Sequence, residues 1–380
     1  MKKTNKTLII HVAKNPLTGV WSSMKSIVRW QMQQENTNVA VAIFSKKDWP
    51  QHYQNDLNSL DAEKYQYKIP NFRMSYLLIF INNKLENWIE ELYRKLAPSR
   101  IAIHFHNADF SGIFVPVNPK VNCDISMVAT FHGMPGIDPK FKLRRPWQKW
   151  LHSRLRKNKV KFVSVDRKGV DQATKILGYN DKEFSIIPNG IFAPQETSLH
   201  NNYSNKALQV GFIGSIDSNK GWEIVIDAAI KTHSSSLTEL IIIGTGPRER
   251  EIQPLIQEKN YIKYLGFVEN AAENIIPKLD VLVIASKVEG LPMVVIEALA
   301  NGVAVISTNV GAIAEAVIHG KHGFIVERTS DDISKYLKIL AKDRELLRQI
   351  KEYAVKQFNH KYEISKIGAE YLNAYFNLNN

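Results

Sequence analysis

The chain has 380 residues, 44% of them hydrophobic and 23% charged, a composition that excludes a disordered chain and suits two domains of ordinary size. A single cysteine, Cys123, excludes an intrachain disulfide framework and fits a reducing compartment. The net charge of +13 is unevenly spread, with 30 basic and 15 acidic side chains in residues 1–190 against 20 and 22 in residues 191–380, so an anionic partner is expected for the first half.

Leu8–Ala13 reads as a first strand. His11 interrupts this apolar run and Lys14 ends it, and no run approaches the ~18–20 residues of a spanning helix, so neither a secretory leader nor a membrane span is expected. Asn15–Gly19 is a turn, and Trp21–Gln34 has helical spacing, with Trp21, Met24, Ile27, Val28 and Met32 near one face. Gly19 thus marks a helix N-terminus suited to an anion. Val39–Phe44, Ser75–Ile81 and Ile101–Phe105 continue the apolar runs as strands. His104 and His106 close one strand; His132, in Thr130-Phe131-His132-Gly133, closes another after Ser126–Ala129. Strand ends of this kind line the ligand crevice of an open α/β sheet. The His-x-His spacing permits zinc, but no carboxylate or fourth ligand accompanies it, so no metal is expected and the pair reads as satisfied polar groups.

Residues 138–161 hold ten Lys or Arg. Pro146 can open a helix that places Trp147, Trp150, Leu151 and Leu155 on one side and Arg145, Lys149, His152 and Arg156 on the other. Two readings stand. The helix lies on anionic lipid through Arg145, Trp147, Lys149, Trp150 and Arg156, or it packs its tryptophans on its own domain and solvates its charges. Lys161–Val165 is the next strand. The polar stretch Ala193–Asn205 marks the junction, giving domains 1–192 and 193–357. In the second half, strands are expected near Gln209–Ile213, Leu240–Ile243, Ile262–Leu265, Val281–Ala285, Val303–Ser307 and Gly323–Val326, alternating with helices in a parallel doubly wound sheet. A helix over Phe358–Tyr375 ends the chain.

The densest motif is Ser286–Thr308. Asp280–Ala285 is a buried strand, Pro292 suits the first helical position, and Gly302 suits the cap before the next strand. Unpaired N–H groups at Gly290–Met293 offer a place for a diphosphate. Glu297, one turn below residue 293, faces the same ligand, and its oxygens suit the vicinal hydroxyls of a ribose. Earlier, Gly211–Trp222 carries Lys220 after a strand. Gly244-Thr245-Gly246-Pro247 lacks the third glycine of a dinucleotide fingerprint, having Glu249 there.

Glu289 and Glu297, eight positions apart around Gly290-Leu291-Pro292 and followed by Ala300-Asn301-Gly302, resemble the Glu-x7-Glu signature of the family 4 retaining glycosyltransferases. Lys220, Pro188-Asn189-Gly190, Gly266-Phe267-Val268, Gly311 with Glu315, and His132 in its Thr-x-His setting resemble further positions of that family. The resemblance implies the GT-B fold, an α/β architecture of two Rossmann-like doubly wound domains facing across a cleft, with the terminal helix 358–380 packing back on the first. It implies transfer of a hexosyl or N-acetylhexosaminyl unit from a nucleotide sugar, with UDP expected, to a glycan acceptor, with retention. Lys220 would stabilise the leaving phosphate, Glu289 the sugar and Glu297 the ribose, with His132 beside the sugar. Gly19, Ser215, Gly244, Gly266, Phe267, Val268, Gly290, Leu291 and Pro292 would line the donor. The family's arginine position is Ser215 here, and its second glycine near residue 311 is Ala312. No Asp-x-Asp tag closes a strand, so the donor is expected to be held without metal or cofactor. The basic half adds the expectation of a polyprenyl-diphosphate-linked acceptor, in synthesis of a lipopolysaccharide or capsule. It also places the chain in the cytoplasm, peripheral on the anionic inner face of the membrane and without nucleic acid. The alternatives are a GT-B-like nucleotide-sugar epimerase and a nucleic-acid-binding protein, the latter lacking any reading motif.

Overall fold

The computed structural model describes residues 6–14, 19–45, 49–68, 77–106, 112–115, 117–133, 145–195, 207–233 and 237–378. The turn residue Asn15, Asn107, most of the 193–205 junction and basic positions 140, 142 and 144 lie outside the described residues. The chain forms two compact units, one of residues 1–190 with 364–380 and the other of residues 191–363.

The first unit runs β1 (Thr7–Lys14), α1 (Gly19–Met32), β2 (Thr37–Ser45), α2 (Gln51–Asn58), β3 (Glu63–Lys68), α3 (Leu77–Leu96), β4 (Arg100–His106), β5 (Asp124–Phe131), α4 (Arg145–Lys157), β6 (Lys161–Ser164), α5 (Arg167–Leu177) and β7 (Phe184–Ile186). Its strands form one parallel sheet in the order β3-β2-β1-β4-β5-β6-β7. Parallel strands are covered on both faces, which is why β1, β2 and β4 read as near-continuous apolar runs. Side chains alternate between faces. Leu8, Ile10 and Val12 enter a core with Leu85, Ile89 and Phe105. Ile9 goes the other way, against Ile27 of α1 and Ile364 and Tyr371 near the end of the chain.

The second unit runs β8 (Leu208–Ile213), α6 (Trp222–His233), β9 (Thr238–Ile243), β10 (Ile262–Tyr264), β11 (Val281–Ile284), α7 (Met293–Ala300), β12 (Ala304–Thr308), β13 (Gly323–Val326), α8 (Ser330–Lys342) and α9 (Arg344–Lys361). Its six strands are parallel in the order β10-β9-β8-β11-β12-β13. Both sheets are Rossmann-like, and each reverses direction beside its first strand, at β1/β4 and at β8/β11. Such reversals open the crevice where ligands bind. Beneath the second sheet, Lys351 of α9, 1% exposed, pairs with Asp280 at 3.4 Å. The other Asp280 oxygen accepts the Gln209 N–H at 3.0 Å, tying α9 to the starts of β8 and β11.

Three expectations are corrected. Of the run Ser75–Ile81, the described residues Leu77–Ile81 are helical and not a strand: they open α3, which continues through the buried positions Leu85, Ile89 and Leu92. The sheet edge is instead β3, Glu-Lys-Tyr-Gln-Tyr-Lys, whose residues alternate between half-buried and exposed. Charged residues on an edge strand weaken its apolar signal and discourage pairing with other chains. The terminal helix is two helices, because α9 ends at Lys361 and α10 (Ile364–Phe376) follows a break at Tyr362-Glu363. In α4 the buried stripe is Gln148, Leu151, His152 and Leu155, at helical spacing, while Lys149 and Trp150 are exposed. His152 leaves the solvated face expected for it because its Nδ1 meets the Tyr179 hydroxyl at 2.7 Å. Trp150 leaves the apolar face and lies under the Arg154 guanidinium instead. Arg156 is paired with Glu183 at 3.1 Å, and the side chains of Arg145 and Trp147 lie outside the described residues.

Candidate functional site

In the second unit, the loops following β8, β9, β10, β11 and β12 gather at the carboxyl end of the sheet. Lys220 lies after β8, and its Nζ is 2.7 Å from Oε1 of Glu289, which lies after β11. Glu289 is 12% exposed and Lys220 28%, so the pair is partly dehydrated yet open on one side. The Ser286 hydroxyl donates to the same carboxylate oxygen at 2.6 Å. The Lys287 N–H donates to the Asn219 carbonyl at 2.7 Å, locking the two loops together. Sequence spacing could suggest each residue; only the sheet order, with β8 beside β11, makes them a pair.

Gly311, after β12, holds this loop from behind. Its φ is +57°, and a Cβ there would collide with the carbonyl groups of Glu289 and Gly290. The neighbouring Ala312 N–H donates to the Gly290 carbonyl at 3.0 Å. A side chain is therefore tolerated at 312 but not at 311, which explains how Ala312 can stand where a second glycine was expected.

Pro292 is the N-cap of α7, one position earlier than expected, with φ −65° and ψ 133°. A proline there supplies no side-chain cap, and the first turn of a helix has no intrahelical acceptors for its N–H groups. Leu291 is buried, whereas Gly290 is half-buried at the turn. Glu297 is half-buried one turn into α7. Its carbonyl accepts both the N–H and the side-chain amide of Asn301, at 3.2 and 2.9 Å, which closes the helix before Gly302.

Ser215 is exposed and donates to Asp217 at 2.5 Å. Burial alone would raise the Asp217 carboxyl, but the Ser215 hydroxyl, the Asn219 N–H and the Lys220 charge together lower it. The loop is thus ordered around a carboxylate rather than a second cation. Arg248 is tied to Glu223 and Glu251 and stacks over Trp222. A cation that the sequence reading missed is Arg328, after β13, whose Nε donates to the Ala285 carbonyl at 2.8 Å and whose guanidinium lies against Gly221. Gly244 (φ +131°) sits against Gly214 and exchanges with the next loop, its N–H donating to Gly266 at 2.8 Å while its carbonyl accepts from Tyr264. Phe267 is 57% exposed, the most open large apolar side chain among those described, and Val268 is half-buried beside it.

In the first unit, Gly19 opens α1, so it does mark a helix N-terminus. His132 lies just past β5, half-buried, with Nε2 3.1 Å from Nδ1 of His106. Burial holds its imidazole down at about 4, opposed by a hydrogen bond with Asn189. Asn189 is the middle of Pro188-Asn189-Gly190 and accepts the Ser23 hydroxyl at 2.8 Å. His104 and His106 are buried and hydrogen-bonded, as satisfied polar groups should be. His11, which entered the sequence reading only as an interruption of an apolar run, is fully buried beside them.

The chain is similar to known proteins. Residues 196–357 match the family model Glycosyl transferases group 1. An N-acetyl-alpha-D-glucosaminyl L-malate synthase of Bacillus anthracis is 29% identical over 159 residues, covering 40% of this chain and 41% of that protein. An alpha-1,4-N-acetyl-D-galactosaminyltransferase of Campylobacter jejuni, named for an acceptor carried on diphospho-undecaprenol, is 29% identical over 214 residues, 53% of this chain and 58% of that protein. The chain therefore matches only about half the length of these two curated relatives. Among solved structures, Anabaena Alr3699/HepE in complex with UDP aligns with a TM-score of 0.75 at 15% identity, over 97% of this chain and 100% of that one, a likeness of fold.

Proposed function

We propose that the chain, whose residues 196–357 match the family model Glycosyl transferases group 1, transfers a hexosyl or N-acetylhexosaminyl unit from a UDP-sugar to a lipid-linked glycan, with retention, in surface polysaccharide synthesis. The observation that carries the proposal is the Lys220–Glu289 pair, 2.7 Å apart beside the N-terminus of α7. A lysine and the N-terminal end of a helix lie where a diphosphate leaving group would develop charge. Glu289, held by Ser286, exchanges its lysine partner for sugar hydroxyls when the donor enters. Glu297, on the face of α7 below those N–H groups, accepts from the ribose hydroxyls. Gly266, Phe267 and Val268 bracket the base, and Gly244 and Ser215 border the diphosphate. UDP is favoured because it is bound in the Anabaena structure of the same fold. A polyprenyl-linked acceptor is favoured by the printed acceptor of the Campylobacter relative and by the basic first half.

The test is a thermal-shift screen across UDP-, GDP- and ADP-sugars, followed by assay of two variants. A ligand at about 100 times its Kd stabilises the folded state by about 2.7 kcal/mol. Glu297→Ala should lose that stabilisation, and Lys220→Ala should lower turnover by ~10²–10³-fold. Full transfer activity in either variant would refute the assignment.

A further inference from the structure

The transfer scheme leaves unused a line of buried polar side chains between the first sheet and the helices α1 and α10. His11, Gln31 and His104 are fully buried, and His106 nearly so. Strand register puts His11 opposite His104, and His106 opposite Thr130. The Gln31 amide sets the direction. Its Nε2 donates to the Tyr375 hydroxyl at 3.2 Å, and that hydroxyl lies 2.8 Å from His104 Nδ1. His104 Nε2 lies 2.7 Å from Thr130 Oγ1. This leaves Gln31 Oε1 as acceptor for His11 Nε2–H at 2.7 Å. A neutral His11 presents only a lone pair at Nδ1, so His106 Nε2–H must donate to it, at 2.9 Å. By the same rule His106 Nδ1 accepts from His132 Nε2–H at 3.1 Å.

We propose that Gln31, His11 and His106 are positioning residues that hold His132 as its Nε2–H tautomer. The inference rests on the reading that His132 contacts the transferred sugar. In this tautomer His132 Nδ1 can only accept, as it would from a sugar hydroxyl. The opposite orientation of one amide, Gln31, would reverse the bonds from His11 through His106 to His132, so a single buried glutamine decides whether His132 Nδ1 accepts or donates. The neutral state that the argument requires is supported by burial, which lowers His11 and His132 to about 4 and places His104 and His106 well below the ordinary histidine range.

The line is a clamp and not a proton conduit. A proton taken up at His132 could pass through His106 and His11 only as far as Gln31, whose amide cannot hold it. A metal is a poor fit as well, although one nitrogen from each of His11, His104 and His106 lies within 4.8 Å of the others. A tetrahedral zinc with Zn–N of about 2.0–2.1 Å requires nitrogens about 3.3 Å apart, each offering a lone pair. His11 Nδ1 and His106 Nε2 instead share one proton at 2.9 Å.

The test is long-range 1H–15N spectroscopy of the full chain labelled in histidine, with His132 assigned through His132→Gln. The expected result is one His132 species with its proton on Nε2. Gln31→Met should turn this into a mixture and lower kcat about ten- to hundredfold, with the donor KM within about twofold. Should Gln31→Met fail to fold, Tyr375→Phe removes the anchor of the amide and predicts the same mixture. A wild-type His132 protonated on Nδ1, an unchanged tautomer in the folded variant, or stoichiometric zinc uptake in a zinc titration would each overturn the proposal. Full transfer by His132→Ala would instead refute the contact between His132 and sugar, while leaving the spectroscopic result to stand alone.

Discussion

Lowering the pH from 7 to 5 should loosen the first unit, and the magnitude follows from one buried ring. His11 is held at about 4 by burial, with the Gln31 hydrogen bond opposing, against about 6.5 in an unfolded chain. Its folded pKa is depressed, so between those values the unfolded chain binds the extra proton. Stability attributable to His11 is therefore fully present above about pH 6.5 and is lost as the pH falls toward 4. Between pH 7 and 5 the loss from His11 alone is about 1.8 kcal/mol, or roughly 20-fold in an opening equilibrium. His104 and His106 are shifted in the same direction, by burial first and by neighbouring rings second, and steepen the trend. Hydrogen exchange of the β1 and β4 amides, corrected for intrinsic rates, reads this locally. His11→Asn removes one titrating ring, and comparing each protein with itself at the two pH values cancels the packing lost by the substitution. Wild type should lose about 20-fold more protection than the variant over this interval. Equal losses in the two proteins would show that His11 is not held neutral in the folded unit, and the tautomer argument would fall with it.

Lys351→Met strands the Asp280 charge in the second unit and should destabilise it by about 3–5 kcal/mol in urea unfolding, with Lys351→Met/Asp280→Asn recovering much of the loss. On α4, Trp150→Ser should change stability by less than about 0.5 kcal/mol, because the ring is exposed. If this helix meets anionic lipid, the same variant should weaken salt-sensitive retention on anionic liposomes, and unchanged retention would remove α4 from the membrane proposal.

The Glu289 motif was readable in the linear sequence because its strand, turn, helix and next strand are contiguous, and each leaves a local mark: an apolar run, a glycine, a proline and a helical spacing. The parallel sheets were legible for a similar reason, since strands covered on both faces must be apolar throughout. Where burial is one-sided the marks fail. The edge strand β3 is too polar to announce itself, and Leu77–Ile81 is apolar enough to imitate a strand while belonging to a long helix. In α4, two tryptophans suggested the buried face, but shape and a partner hydroxyl at Tyr179 placed His152 inward and Trp150 outward.

The sequence by itself determined the two sheets, the carboxylates around Gly290-Leu291-Pro292, and Lys220 at the start of a helix, because these depend on neighbours a few positions away. Only the tertiary structure decided that Lys220 meets Glu289, 69 positions later, and that His11 meets His106, 95 positions later. Those meetings depend on strand order and register. No local pattern encodes which strand lies beside which, whereas burial and hydrogen-bond satisfaction in the assembled sheet do.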